Sequence, residues 1–149
     1  MRLFKYLVPC LVIVLLLSWS GISTTEAAGR WPKKSGWMCW EYTNSEGTQT
    51  LKFRVSNIGG GQYLLSGKSG SGDSIGHGSA VIKGDSVQMI ITYSGKDNES
   101  MWIGTGFAVL DKATLNGTWE AIDTDRDYSG GKITTQYIPG TFISVSCPR

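Results

Sequence analysis

The chain has 149 residues, with 14 Lys plus Arg against 12 Asp plus Glu, a formal net charge of +2, 40% hydrophobic residues and 20 glycines. That length allows one domain with a short appendage. The small charge implies no basic face for nucleic acid, and the abundant aromatics argue against a disordered chain.

Met1 to Tyr6 carries Arg2 and Lys5, and residues 7–17 are apolar apart from Pro9 and Cys10. Small and polar residues follow, ending Thr25-Glu26-Ala27-Ala28-Gly29. A basic start, a short apolar run and a small-residue exit describe a secretory signal peptide over residues 1–28, cleaved after Ala27 or Ala28. The run is short of the roughly 20 apolar residues that a bilayer span needs, so no membrane span is expected after cleavage. Removing Arg2, Lys5 and Glu26 from 14 basic and 12 acidic residues leaves 12 and 11. Cys10 leaves with the signal, and Cys39 and Cys147 remain near the two ends of residues 29–149. An even pair in an exported, secreted or periplasmic protein reads as one disulfide.

The mature chain shows no sustained helical period. Short β-rich runs alternate with Gly, Asn, Asp and Ser clusters. They read as strands over Trp37–Thr43, Thr50–Ser56, Gln62–Gly67, Ile75–Ile82, Val87–Tyr93, Met101–Leu110 and Leu115–Asp123. Lys132–Tyr137 and Phe142–Cys147 follow, separated by Pro139-Gly140. The fold class is all-β: a single antiparallel up-and-down barrel of about eight strands, with a two-sheet sandwich as the alternative. Closure removes the two exposed edges of a meander. It also makes the first and last strands neighbours, so Cys39 and Cys147 can lock the seam.

Alternation assigns the inner face. Met38, Trp40 and Tyr42 point in on the first strand, Leu51, Phe53 and Val55 on the second, and Leu115, Trp119 and Ala121 on the seventh. The sixth strand is apolar on both faces, so its register stays open: Met101, Ile103, Phe107 and Val109 oppose Trp102, Gly104, Gly106 and Ala108. A barrel of this size is either just filled or holds one small ligand. Trp37, Trp40, Trp102 and Trp119 are candidates to line a cavity, with Trp40, Trp102 and Trp119 as the walls and Tyr42 and Tyr93 offering hydroxyls.

Ile103-Gly104-Thr105-Gly106 together with Leu115-Asn116-Gly117-Thr118-Trp119-Glu120, which contains a Gly-x-Trp, resembles strand pairs of small calycin-type barrels, the group that holds lipocalins and avidins. The resemblance covers a small part of the chain. It implies a barrel and small-ligand binding.

Candidate chemistry is sparse. His77, the only histidine, stands between Gly76 and Gly78. With Asp97, Glu120, Tyr42 and Tyr93 it makes up the candidates for a lyase, cyclase or isomerase that needs only one or two polar groups in an apolar cavity. One histidine argues against catalytic zinc. Asp123, Asp125 and Asp127 alternate as in the first half of a calcium loop, but Tyr128 takes the place of the turn glycine, and the segment reads as a solvated hairpin loop. Asn98-Glu99-Ser100 and Asn116-Gly117-Thr118 match glycosylation acceptors. No cofactor is expected. The leading expectation is an exported barrel that holds a small apolar or aromatic molecule. The alternatives are an enzyme on the same barrel, or a protein-inhibitor or surface-interaction module with a solid interior.

Overall fold

Apolar and polar residues alternate along runs that end at Gly, Asn and Asp turns, and these runs form eight antiparallel strands. The structure, a computed structural model, describes residues 31–148. The signal peptide expected over residues 1–28 lies outside them. The strands are β1 (Ser35–Asn44), β2 (Gly47–Gly59), β3 (Gln62–Ser69), β4 (Ser74–Lys83), β5 (Ser86–Lys96), β6 (Ser100–Asp111), β7 (Gly117–Asp127) and β8 (Ile133–Val145). Each pairs with the next in sequence, and β8 pairs with β1, so the sheet is a closed up-and-down barrel with no free edge. Turns this tight need unusual backbone: Gly60 and Gly61, between β2 and β3, have φ of 60° and 73°, the two positive angles of a type I′ hairpin.

The seam between β1 and β8 is the shortest ladder, running only from Cys39 opposite Val145 to Thr43 opposite Thr141. By contrast, β6 pairs with β7 from Ser100 opposite Asp127 to Leu110 opposite Gly117. The Cys39–Cys147 disulfide fastens this short ladder, with the two Cα atoms 5.1 Å apart. Cys147 lies just past the end of β8.

Three details of the strand reading change. The seventh strand extends to Asp127, and Leu115 belongs to the turn before it, with a buried side chain and a φ of 60°. The two late segments are one strand, because Pro139 lies beyond the end of the β1 ladder and only β7 pairs with it, through Glu120. On β6 the inner face is Trp102, Gly104, Gly106, Ala108 and Leu110, which leaves Met101, Ile103, Phe107 and Val109 outside.

Turns and termini divide the barrel into two ends. One carries the β2–β3, β4–β5 and β6–β7 turns and the residues before β1, and it is plugged. Trp31 packs on Tyr63 with centroids 4.7 Å apart and the rings tilted by 43°, and Trp40 is buried beneath it, their centroids 6.3 Å apart. Trp40 Nε1 donates to the Leu115 carbonyl at 3.0 Å, which ties the first strand to the left-handed turn across 75 residues of sequence. Val55, Val87, Met89, Ala108 and Leu110 fill the rest of this half. The other end carries the β1–β2, β3–β4, β5–β6 and β7–β8 turns, and there the interior opens.

Candidate ligand-binding site

A cavity of about 380 Å³ enters the barrel from this second end. That is within the range of small-molecule sites, roughly 300–1,000 Å³. Its floor and walls are aromatic. Trp119 packs on Phe142 at 5.3 Å, and Tyr42 and Tyr93 each stand 6.2 Å from Trp119. Trp102 closes the wall near the mouth. Its Nε1 donates to Ser74 Oγ at 3.1 Å, and its ring lies over Gly95 of β5.

The glycines of β6 explain how so many rings fit. A Cβ on Gly104 would overlap the Tyr93 ring, and a Cβ on Gly106 would overlap Trp119. The bare β6 backbone therefore lets both rings lie against the wall instead of across the lumen. Gly140 of β8 does the same for Tyr42.

The wall changes character on β7. Its inner face runs Trp119, Ala121, Asp123 and Asp125, so the alternation that places Trp119 inside also carries two carboxylates inside. Asp123 Oδ1 and Asp125 Oδ1 are both shut off from solvent and have no hydrogen-bond partner. Burial raises the Asp123 pKa above the usual carboxylate range; the Thr124 N–H pulls it back, and the charges of Asp125 and Glu46 push it up further. Burial likewise raises the Tyr93 phenol well above its ordinary value, with Asp123, Tyr42 and Glu46 adding to the shift. Tyr42 is raised for the same main reason, opposed by a hydrogen bond with Asn44. Both tyrosines are therefore neutral hydroxyls at physiological pH.

The turns at the mouth are held by their own side chains. Asn44 Oδ1 accepts from the N–H groups of Glu46 and Gly47, Ser69 Oγ from that of Ser74, and Asp97 Oδ1 from those of Glu99 and Ser100. These bonds order the rim without closing it.

Of the residues singled out from sequence, Tyr42, Tyr93, Trp102 and Trp119 share this cavity. Trp40 does not line it; it belongs to the plug below. Trp37 is outside, 59% exposed, with the Lys52 ammonium 5.3 Å from its ring centroid. The polar candidates are not brought together. His77 is exposed on the outside of β4, Glu120 on the outside of β7, and Asp97 in the β5–β6 turn. Asp123, Asp125 and Asp127 do not form the expected solvated loop, since all three lie on β7. Asp127 turns to its own hairpin and accepts from the Ser129 N–H and hydroxyl, which holds its carboxyl below the usual range. Among the described residues, no group of three or more His, Cys, Asp or Glu side chains could hold a metal ion. Asn98 and Asn116 are exposed, but the Asn116 amide oxygen accepts from the Ser144 N–H at 2.8 Å.

The sequence reading missed the polar part of the wall: Asp123, Asp125, Asn44, Glu46, Gln49 and Gln136. For the two aspartates the signal was present, because extending the Trp119–Ala121 alternation by two steps reaches them. Comparisons of the chain with protein-family models, with curated proteins and with solved structures return no match.

Proposed function

We propose that the protein is an exported binding module that holds one small molecule with an aromatic or apolar body inside the barrel. The observation that carries this reading is the cavity itself: one half of the barrel is packed solid, and the other leaves about 380 Å³ between aromatic walls. A barrel whose task was only to present loops would gain from filling that space, because apolar burial and packing stabilise a core. The eight-stranded closed topology accords with the calycin-type resemblance of the β6 and β7 segments. Export accords with the Cys39–Cys147 bridge, since disulfides persist in oxidising compartments. Among the described residues no helix is long and apolar enough to cross a membrane.

The test is native mass spectrometry of the protein purified from its own host, combined with tryptophan fluorescence. A bound mass that dissociates on unfolding, and quenching by an added apolar aromatic probe that is lost in Trp119→Leu, support the reading. A bare polypeptide mass together with fluorescence indifferent to the probe refutes it.

One observation favours a second reading, an enzyme on the same barrel. Asp123 has a raised pKa inside an aromatic cavity, near two neutral phenols, and such a carboxyl can exchange protons with a bound substrate. The chemistry would then rest on Asp123 with Tyr42 and Tyr93, not on His77, Asp97 or Glu120. Turnover of the native ligand, abolished in Asp123→Asn with binding retained, would establish it.

A further inference from the structure

We propose that the ligand carries a protonated amine on its aromatic or apolar body, and that Asp123 and Asp125 hold the amine against the β7 wall. This rests on the cavity being a ligand site and goes on to name the chemistry it selects.

Asp123 and Asp125 are two positions apart on one strand, so their Cα atoms are roughly 6.6 Å apart and their side chains share the inner face. One small cationic head can reach both. Each carboxylate keeps one oxygen that is buried and has no donor. A buried acceptor left unpaired forfeits its hydration without a replacement, and the loss is greater when it is charged. An ammonium group supplies up to three N–H donors from one atom, which answers two orphaned oxygens in a way a single hydroxyl cannot.

The rest of the wall points the same way. Glu46 adds a third carboxylate at the rim. The one basic residue lining the cavity is Lys68, which is exposed on β3, across the barrel from β7. The wall therefore disfavours an anion and attracts a cation. Tyr93, Tyr42 and Trp119 offer ring faces, which attract a cation by their quadrupole and also cover an apolar body. The raised Asp123 pKa fits a carboxylate whose counter-charge arrives with the ligand. A hard metal cation is less well served, because calcium takes about six to eight oxygen ligands and, among the described residues, no three His, Cys, Asp or Glu side chains are grouped closely enough to hold a metal ion.

The test is a calorimetric titration at pH 7 with three molecules that share one ring and differ in charge: tryptamine (a cation), tryptophol (neutral) and indole-3-acetate (an anion). Each is titrated into the wild type, Asp123→Asn and Asp125→Asn, and calcium chloride is titrated in parallel. Hydrogen bonds to charged groups contribute about 1.5–3 kcal/mol, so tryptamine should bind roughly tenfold to a hundredfold tighter than tryptophol, with indole-3-acetate weakest. Either substitution should bring tryptamine close to tryptophol while leaving tryptophol itself unchanged. If one variant fails to fold, the other carries the comparison. Tryptophol binding as tightly as tryptamine overturns the amine proposal and leaves the cavity reading standing. If none of the three binds, the amine proposal is overturned, and the native mass spectrum decides the cavity reading separately. Calcium binding that either substitution abolishes, with no preference for tryptamine, makes this a metal site and also overturns the proposal.

Discussion

Cutting the Cys39–Cys147 bridge tests the barrel at its weakest ladder. The bridge closes a loop between residues 108 apart. In the chain-entropy model a loop of that length restricts the unfolded chain by about 5 kcal/mol, while removal of a native bridge from a small secreted domain typically costs about 2–5 kcal/mol. A barrel of roughly 120 residues unfolds with an entropy of about 0.25 kcal/mol per kelvin near its midpoint, so the expected fall in Tm is about 8–20 °C. The variant should be Cys39→Ala with Cys147→Ala, because position 39 is buried and a serine there would bury an unpaired hydroxyl. Thermal unfolding followed by circular dichroism gives Tm, and the wild type treated with reductant separates loss of the cross-link from loss of the Cys39 side-chain volume. Both samples should fall together. If both keep a Tm within about 2 °C of the oxidised protein, the seam is held by its ladder and by Trp40, Tyr42 and Phe142 beneath it, and the entropic account of the bridge is wrong.

Three further outcomes follow from the interior. Trp40→Phe removes the donor to the Leu115 carbonyl and leaves a void in the plug; it should cost about 2–4 kcal/mol in urea unfolding and leave the affinity of a cavity probe unchanged. Gly106→Ala places a methyl group where the Trp119 ring lies; it should destabilise by about 1–3 kcal/mol and weaken probe binding by pushing the ring into the lumen, read by unfolding and fluorescence titration on the same samples. Because the folded Asp123 pKa is raised, its contribution to stability is present below the unfolded carboxylate value and lost as pH rises through the folded one. Asp123→Asn should therefore match the wild type in urea unfolding near pH 3 and increasingly exceed it as pH rises through the folded Asp123 pKa.

Strand count, closure and the cystine were legible because they rest on period-two patterning, turn residues and two cysteines placed near the ends of the strand-rich segment. The inner face of β6 was not legible. Met101, Ile103, Phe107 and Val109 are the larger set, yet they face outward, and the glycines face inward. Size misleads there because Gly104 and Gly106 make room for Tyr93 and Trp119, which arrive from the neighbouring strands β5 and β7. Pairing that follows from tertiary register is not written in either strand alone. Pro139 suggested a break for a similar reason: whether a proline interrupts a strand depends on whether a neighbour needs its missing N–H, and here the β1 ladder has already ended. Asp123 and Asp125 were misread on composition. Three aspartates in five residues describe a loop in most settings, and the alternation that contradicts this was applied only as far as Ala121. Trp40 was assigned inward correctly, but alternation gives the face of a residue and not its height along the barrel axis, so it could not distinguish plug from cavity wall.

Height along that axis organises the molecule. From the plugged end the rings pass contact to one another, Tyr63 to Trp31, Trp31 to Trp40, Trp40 to Phe142, and Phe142 to Trp119 and Tyr42. Trp119 passes it on to Tyr93, 6.2 Å away, while β7 itself turns to carboxylates on the same inner face. Those positions would accept leucine or valine in a solid barrel, with a gain of about 1.5–3 kcal/mol for each side chain fully buried. Asp123 and Asp125 instead carry oxygens that nothing in the chain satisfies. The barrel can accommodate such a penalty because its stability is concentrated elsewhere: in the plugged half, in ladders that close on themselves, and in a bridge across the one short ladder. The packed half and the half that leaves the cavity are therefore separate regions of one β-barrel, and a plug substitution such as Trp40→Phe should cost stability alone, whereas a cavity-wall substitution such as Gly106→Ala should change probe binding as well.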